Sequence, residues 1–298
     1  MRIVIVALLA WCAAALGAGV SALDSDGRRV TLGAPAQRIV SLAPHVTELL
    51  FAAGAGEKVV AVSEYSDYPP EVKRLPRIAS SASIDVEQLL ALRPDLVVAW
   101  RLEATARSLD RIASLGIPVF YSEPRRLAHI PSAIEALGAL AGTDAAARAA
   151  AAGLRTQIDR LRAAYRGRPP IAVFYQIADR PLMTLNGEHL VSDAISLCGG
   201  RNVFADAPLI ASVVGVEAVL AADPEAIVAA RVDPADTAWQ ADWLRFPGLR
   251  AVRDGNLLTL NANEMHRHGP RAIAGTARLC ALLDEARGRA GLRAASPR

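Results

Sequence analysis

The chain has 298 residues, of which 52% are hydrophobic and 21% charged, and carries a net charge of +3. Its cations are nearly all arginine, since lysine occurs only at positions 58 and 73. They form no cluster interleaved with aromatics, which argues against a nucleic-acid surface. Beyond the N-terminal apolar run, no stretch reaches the roughly 18 uninterrupted apolar residues that a membrane helix needs.

In chain order, Arg2 precedes an apolar run that ends at Val20-Ser21-Ala22. A basic start, an apolar core and small residues at the −3 and −1 positions predict a cleaved signal peptide, residues 1–22, and hence export to the periplasm as a soluble protein. An uncleaved anchor is the alternative. Cys12 follows Trp11, the wrong neighbour for a lipidated cysteine. Asp26-Gly27 is a turn signal, with Arg29–Leu32 as a hairpin arm. Apolar strands are predicted at Arg38–Leu42, Lys58–Val62, Leu96–Trp100 and Val119–Tyr121. Helices alternate with them at Val46–Ala53, Val86–Leu92 and Thr105–Leu115. That alternation predicts an α/β lobe with a mostly parallel sheet over residues 23–142.

Thr143 to Gly167 reads as a single alanine-rich helix. Thr143 is its expected N-cap with Asp144 beside it, and Gly167 and Pro169-Pro170 stop it. At ~1.5 Å per residue the rod is roughly 35 Å long, enough to span a small domain. Gly153 is its weak point. Beyond it the pattern restarts over 168–298. Strands are expected at Ile171–Gln176, Ala226–Ala230 and Leu257–Leu260. Helices are expected at Leu190–Cys198, Val216–Ala221, Ala238–Leu244 and Pro270–Gly288, with loops at Arg201–Gly215 and Asn261–Gly269. Trp239 and Trp243, four apart on one helical face, are assigned to the core. The expected architecture is therefore two α/β lobes bridged by a single long helix, with a ligand cleft between them at the carboxyl ends of the strands. One continuous helix offers no flexible hinge, so small tilting is expected on binding instead of wide closure.

Residues Val86–Ala99 (VEQLLALRPDLVVA) are echoed without a gap by Val216–Ala229 (VEAVLAADPEAIVA). Both read as a short helix, a Pro-acidic turn and a buried strand. Glu87 and Glu217 take equivalent places in the first helical turn. Two readings stay open from the residues alone: helix-dipole stabilisation, or a matched pair of acidic knobs for a two-fold partner. Cys198 and Cys280 remain after export. In an oxidising compartment they are read as a disulfide, with two buried thiols as the alternative.

The segments RIVSLAPHVTELLFAAGAG, VSEYSDYPPEV and VEQLLALRPDLVVAW, together with SLCGG and PRAIAGTARLC, resemble the periplasmic binding proteins of cobalamin, haem and ferric-siderophore ABC importers. The resemblance covers nearly all of the chain after the signal segment. It implies the two-lobed fold, the Cys198–Cys280 disulfide, and delivery of a metal-chelate cargo to an ABC permease dimer, with Glu87 and Glu217 meeting arginines of its two subunits. A corrinoid such as cobalamin is the implied ligand, with haem or a ferric siderophore as alternatives within the family. Tyr65, the first tyrosine of YSDYPP, and Arg267, in the loop before the last helix, match ligand-contacting positions. Aromatic positions that flank a corrin are here Ser81, Met183 and Ala211. An acidic loop position is Asn263, and its aromatic neighbours are Glu264 and Met265. This predicts a more open or more polar cleft.

The remaining candidates come from placement. His45 opens the first helix, His266 and His268 flank Arg267, and Tyr68, Trp100 and Arg101 lie at strand ends. The histidines are read either as polar cleft lining or as ligands to a metal, with Glu264. Tight binding would then rest on Tyr65, Arg267, His45, Tyr68, Trp100, Asn263, Met265 and His266. The chain lacks a GxSxG elbow, HExxH and a glycine-rich phosphate loop. The reading is thus a monomeric, non-enzymatic transport protein with no resident cofactor or metal.

Overall fold

The computed structural model describes residues 19–291. A hairpin, β1 (Val20–Leu23) with β2 (Arg29–Leu32), comes first. The first lobe follows as β3 (Ile39–Ser41), α1 (Pro44–Ala52), β4 (Val59–Ser63), β5 (Arg77–Ala79), α2 (Val86–Ala91), β6 (Leu96–Ala99), α3 (Glu103–Ser114), β7 (Val119–Tyr121) and α4 (His129–Ala141). Its five strands are all parallel, in the order β5-β4-β3-β6-β7. β3 and β6 are buried at every position, as parallel strands covered on both faces must be.

After the connecting helix α5 (Asp144–Tyr165), the second lobe runs β8 (Ile171–Asp179), β9 (Leu182–Leu185), α6 (Leu190–Leu197), β10 (Gly200–Asn202), β11 (Ala211–Val213), α7 (Val216–Ala222), β12 (Ala226–Arg231), α8 (Ala241–Leu244), α9 (Arg250–Arg253), β13 (Leu257–Asn261), α10 (Ala262–Met265) and α11 (Arg271–Arg289). The sheet order is β11-β9-β8-β12-β13, with β10 also on β8. The β8–β12 and β12–β13 pairs are parallel, while β9 and β11 add an antiparallel edge.

The connecting helix is unbroken for 22 residues and runs straight through Gly153. Thr143 is the N-cap residue, as expected, but its hydroxyl makes no capping bond to the helix N–H groups: it donates to the Ala53 carbonyl at 2.6 Å, tying the helix start to α1. Ala147, Ala151 and Ile158 form its buried stripe. A Cβ at Gly138 of α4 would lie 2.2 Å from the Ala147 Cβ. Glycine there lets α4 and α5 cross at contact distance.

A single hydrophobic core extends from the inner face of one sheet to the inner face of the other, from Leu49 and Ile134 through Ile158 to Val173 and Leu279. Separate apolar layers cover the outer faces, one around Val97 and Leu109 and one around Phe174, Trp239 and Trp243. Both tryptophans are buried, as their spacing predicts. Cys198 at the end of α6 is disulfide-bonded to Cys280 in α11, closing a separation of 82 residues.

The expected cleavage point after Ala22 falls inside β1, where Ala22 is buried and pairs with Val30. Most of the expected signal segment, with Cys12, lies outside the described residues. No described helix is long and apolar enough to cross a membrane.

Candidate functional site

The carboxyl ends of the first lobe's strands carry most of the candidate residues. β4 runs into Glu64 and then Tyr65, which sits in the left-handed region at φ 60 with 76% of its surface exposed. A bulky aromatic held at positive φ and turned to solvent is costly in two ways, which makes Tyr65 a candidate for the site. Beside it lies an apolar cavity of about 160 Å³, walled by Tyr65, Ser81, Ile84, Trp100, Leu102 and Leu109 among others. Tyr68 is also exposed, and the Arg271 guanidinium lies over its ring at 4.4 Å. Arg101 turns away from this region. It bonds Asp26 of the hairpin turn at 2.8 Å and stacks on Tyr121.

Arg267 reaches across from the second lobe. Its Nη1 donates to Glu48 Oε1 at 3.2 Å and to Asp67 Oδ1 at 2.6 Å. Its Nη2 donates to the Tyr65 carbonyl at 3.2 Å and to Asn263 Oδ1 at 2.9 Å. Arg271 adds two bonds to Glu48, at 3.1 and 2.7 Å. The Glu48 carboxylate, on α1, is buried between two guanidinium groups of the other lobe. A carboxylate is seldom buried this way unless paired. Asn263 thus stands beside Arg267 as expected from sequence. Its neighbours do not line the cleft: Met265 is buried in the core against Gly275, and Glu264 pairs with Arg278 at 2.7 Å.

The histidines gather at the lobe boundary. His45, in the first turn of α1, packs edge-on to Trp100 with ring centroids 5.5 Å apart and lies 5.7 Å from His268. His268 in turn packs against His189 at 4.8 Å. The hydrogen bonds dictate the tautomers. His189 Nδ1 accepts the Val191 N–H, so its proton is on Nε2. That Nε2–H donates to His268 Nε2 at 3.1 Å, which leaves the His268 proton on Nδ1. His45 Nε2–H donates to the Ser122 carbonyl at 3.0 Å. Burial holds His45 and His266 down to about 4 and His189 down to about 3, and it also depresses His268. His266 pairs with the buried hydroxyl of Tyr175 at 3.2 Å. Among the described residues, two buried side-chain polar atoms lack a hydrogen-bond partner, Ser122 Oγ and His268 Nδ1. No described group of three or more His, Cys, Asp or Glu is arranged to hold a metal ion.

Tyr65, Tyr68 and Trp100 from one lobe and Arg267 and Asn263 from the other are therefore brought to one region, with His45 and His268 packed beneath them. Glu48, Asp67, Arg271 and His189 complete it; of these the sequence suggests only Asp67, as a group that could meet His45 and His266 across the cleft, and its partner here is Arg267. Glu48 carried a signal, as a lone charge inside the apolar helix PHVTELLFA. Glu87 and Glu217 lie apart from this region, each exposed in the first turn of its helix.

Two α/β lobes joined by one unbroken helix, with strand-end loops of both lobes facing each other, define a bilobal binding protein that holds a cargo molecule. The comparisons with known proteins agree. Residues 39–263 match the model of the family described as periplasmic binding protein. The vitamin B12-binding protein of Vibrio cholerae is 38% identical over 253 residues, covering 84% of this chain and 90% of that protein. The crystal structure of a periplasmic vitamin B12-binding protein of the same organism superposes with a TM-score of 0.77 at 38% identity, over 85% of this chain and 98% of that one. A periplasmic haem-binding protein from Roseiflexus superposes with a TM-score of 0.72 at 28% identity, over 84% and 98% of the two chains. The chain belongs to the periplasmic binding protein family.

Proposed function

We propose that this protein is the periplasmic binding component of an ABC importer, and that it captures a corrinoid, cobalamin first, for delivery to a membrane permease dimer. The observation that carries this reading is the pairing of Tyr65 and Arg267. They come from opposite lobes, Arg267 donates to the Tyr65 carbonyl at 3.2 Å, and Tyr65 walls an apolar cavity. A flat macrocycle with a polar periphery needs that combination of an apolar wall and a few placed polar groups. The likeness to vitamin B12-binding relatives supports the same ligand.

Haem is the second reading. It is favoured by the exposed phenol of Tyr65 and by serine, methionine and alanine at positions 81, 183 and 211, where a corrin binder has aromatics. The protein acts as a carrier and catalyses nothing, and it works as a monomer. Glu87 and Glu217 supply one acidic contact per lobe to the permease, which would chiefly set orientation and encounter rate.

The test is the absorbance spectrum and mass of what the purified protein retains after exposure to cyanocobalamin, haemin or a ferric siderophore. Stoichiometric retention of cyanocobalamin without turnover is the expected result. Retention of haemin alone would replace the corrinoid by haem, and product formation would end the carrier reading. For docking, the Glu87→Ala/Glu217→Ala double variant should bind ligand normally yet fail to support uptake in cells.

A further inference from the structure

The Arg267 contacts divide into fixed and replaceable partners. Glu48 is buried and is held by Arg271 as well. The Tyr65 carbonyl is backbone, and Asn263 lies one helical turn away on the same lobe. Asp67 differs from all three: its side chain is 47% exposed and meets the guanidinium from the solvent side at 2.6 Å. Burial pushes the Asp67 carboxyl up, but the hydrogen bond and charge of Arg267 outweigh this and hold it below its ordinary value, so it is ionised at neutral pH. Two guanidinium groups, of Arg267 and Arg271, thus face two carboxylates, of Glu48 and Asp67. The neighbouring cavity of about 160 Å³ takes only the edge of a macrocycle, since ligand sites commonly run to ~300–1,000 Å³.

We infer that Asp67 is a specificity determinant that occupies the place at Arg267 taken by an acceptor oxygen of the ligand, so that the ligand must displace it to bind. The inference rests on the corrinoid reading given above. The exchange follows from the charge balance. Once Asp67 swings out to water, Arg267 has a donor free and the cluster carries one uncompensated positive charge. An incoming phosphodiester restores neutrality, and an amide carbonyl restores the hydrogen bond alone. A ligand without a strong acceptor oxygen would leave that one donor unpaired and would be rejected in favour of Asp67 itself. Glu48 stays in place throughout and keeps Arg267 aimed.

The experiment is calorimetric titration of the wild type, Asp67→Ala and Asp67→Asn with cyanocobalamin and with dicyanocobinamide, which lacks the nucleotide loop and its phosphodiester. Removing the internal competitor should tighten cyanocobalamin binding by about two- to fivefold in Asp67→Ala, with Asp67→Asn between it and wild type. A gain confined to cyanocobalamin identifies the phosphodiester as the displacing group, and an equal gain with both ligands identifies an amide. Unchanged or weaker binding by Asp67→Ala, with the wild type binding well, overturns the inference and leaves the corrinoid reading intact. If the wild type retains no corrinoid, the corrinoid reading fails, and the same three proteins are titrated with haemin, whose propionates supply the acceptor. A gain there sustains the role of Asp67, and no binding or no gain overturns it.

Discussion

Glu48 and Arg267, 219 positions apart in sequence, meet at 3.2 Å across the boundary between the lobes. Arg271 completes a buried triad with the same carboxylate. Taking the carboxylate away leaves two guanidinium groups in a protected site with only the half-exposed Asp67 to balance them. Glu48→Ala should therefore lower stability by about 3–5 kcal/mol, the usual consequence of leaving buried charges uncompensated. Urea denaturation of the variant against wild type measures it, and a change below 1 kcal/mol would show that solvent screens the triad.

Acid should weaken the protein well before its carboxylates titrate. His45, His189 and His266 have folded-state values of about 4, about 3 and about 4 against 6.5 when unfolded. The native state therefore binds fewer protons than the unfolded chain between those limits, and stability rises with pH there. The contribution is complete above about 6.5 and is lost as pH falls towards 4, by up to about 1.4 kcal/mol per pH unit for each histidine. Thermal melting from pH 7 to pH 4.5 should show a steady fall. His45→Gln, which keeps a donor for the Ser122 carbonyl, should make that slope shallower.

Gly153 is a liability without a structural reason. It lies inside the long helix, and a Cβ there would meet nothing within 4 Å. Gly153→Ala should raise stability by about 1 kcal/mol through helix propensity alone. A denaturation midpoint that stays the same or drops would show that the native helix does not accept the added methyl without cost.

The disulfide restrains the unfolded chain over 82 residues. In the chain-entropy model a loop of that size corresponds to about 4 kcal/mol. Replacing Cys198 and Cys280 together by alanine should lower the denaturation free energy by an amount of that order. A melt under reducing conditions should shift in the same direction.

Much of the architecture can be read from local sequence. The two copies of helix, Pro-acidic turn and strand emerge as α2–β6 and α7–β12, because each link in those segments is a short-range signal: a cap or small residue, an apolar stripe and a buried strand. Val119–Tyr121 and the long helix were equally plain. The antiparallel β9 and β11 were not, since LMTL and ASV are too short to show alternation and their pairing is set by the partner strand. Helix α4 was missed behind Pro131, which is harmless in a first turn but reads as a breaker. At the site, the single residues Tyr65 and Arg267 could be named. Their wiring could not, because Glu48, Asp67 and Arg267 meet only when the lobes pack, and nothing in one sequence records a contact 200 positions long. His189 has no motif around it, and it gains meaning only through His268.

The core that passes without interruption from one sheet to the other has a consequence for folding. Each lobe has the outline of a domain, yet neither can bury its inner apolar face without α5 and the opposite half. The two lobes therefore make one cooperative unit, in which the loss of either half's packing strips the other. Far-UV circular dichroism and the fluorescence of Trp100 in the first lobe and Trp239 and Trp243 in the second should trace the same single unfolding transition.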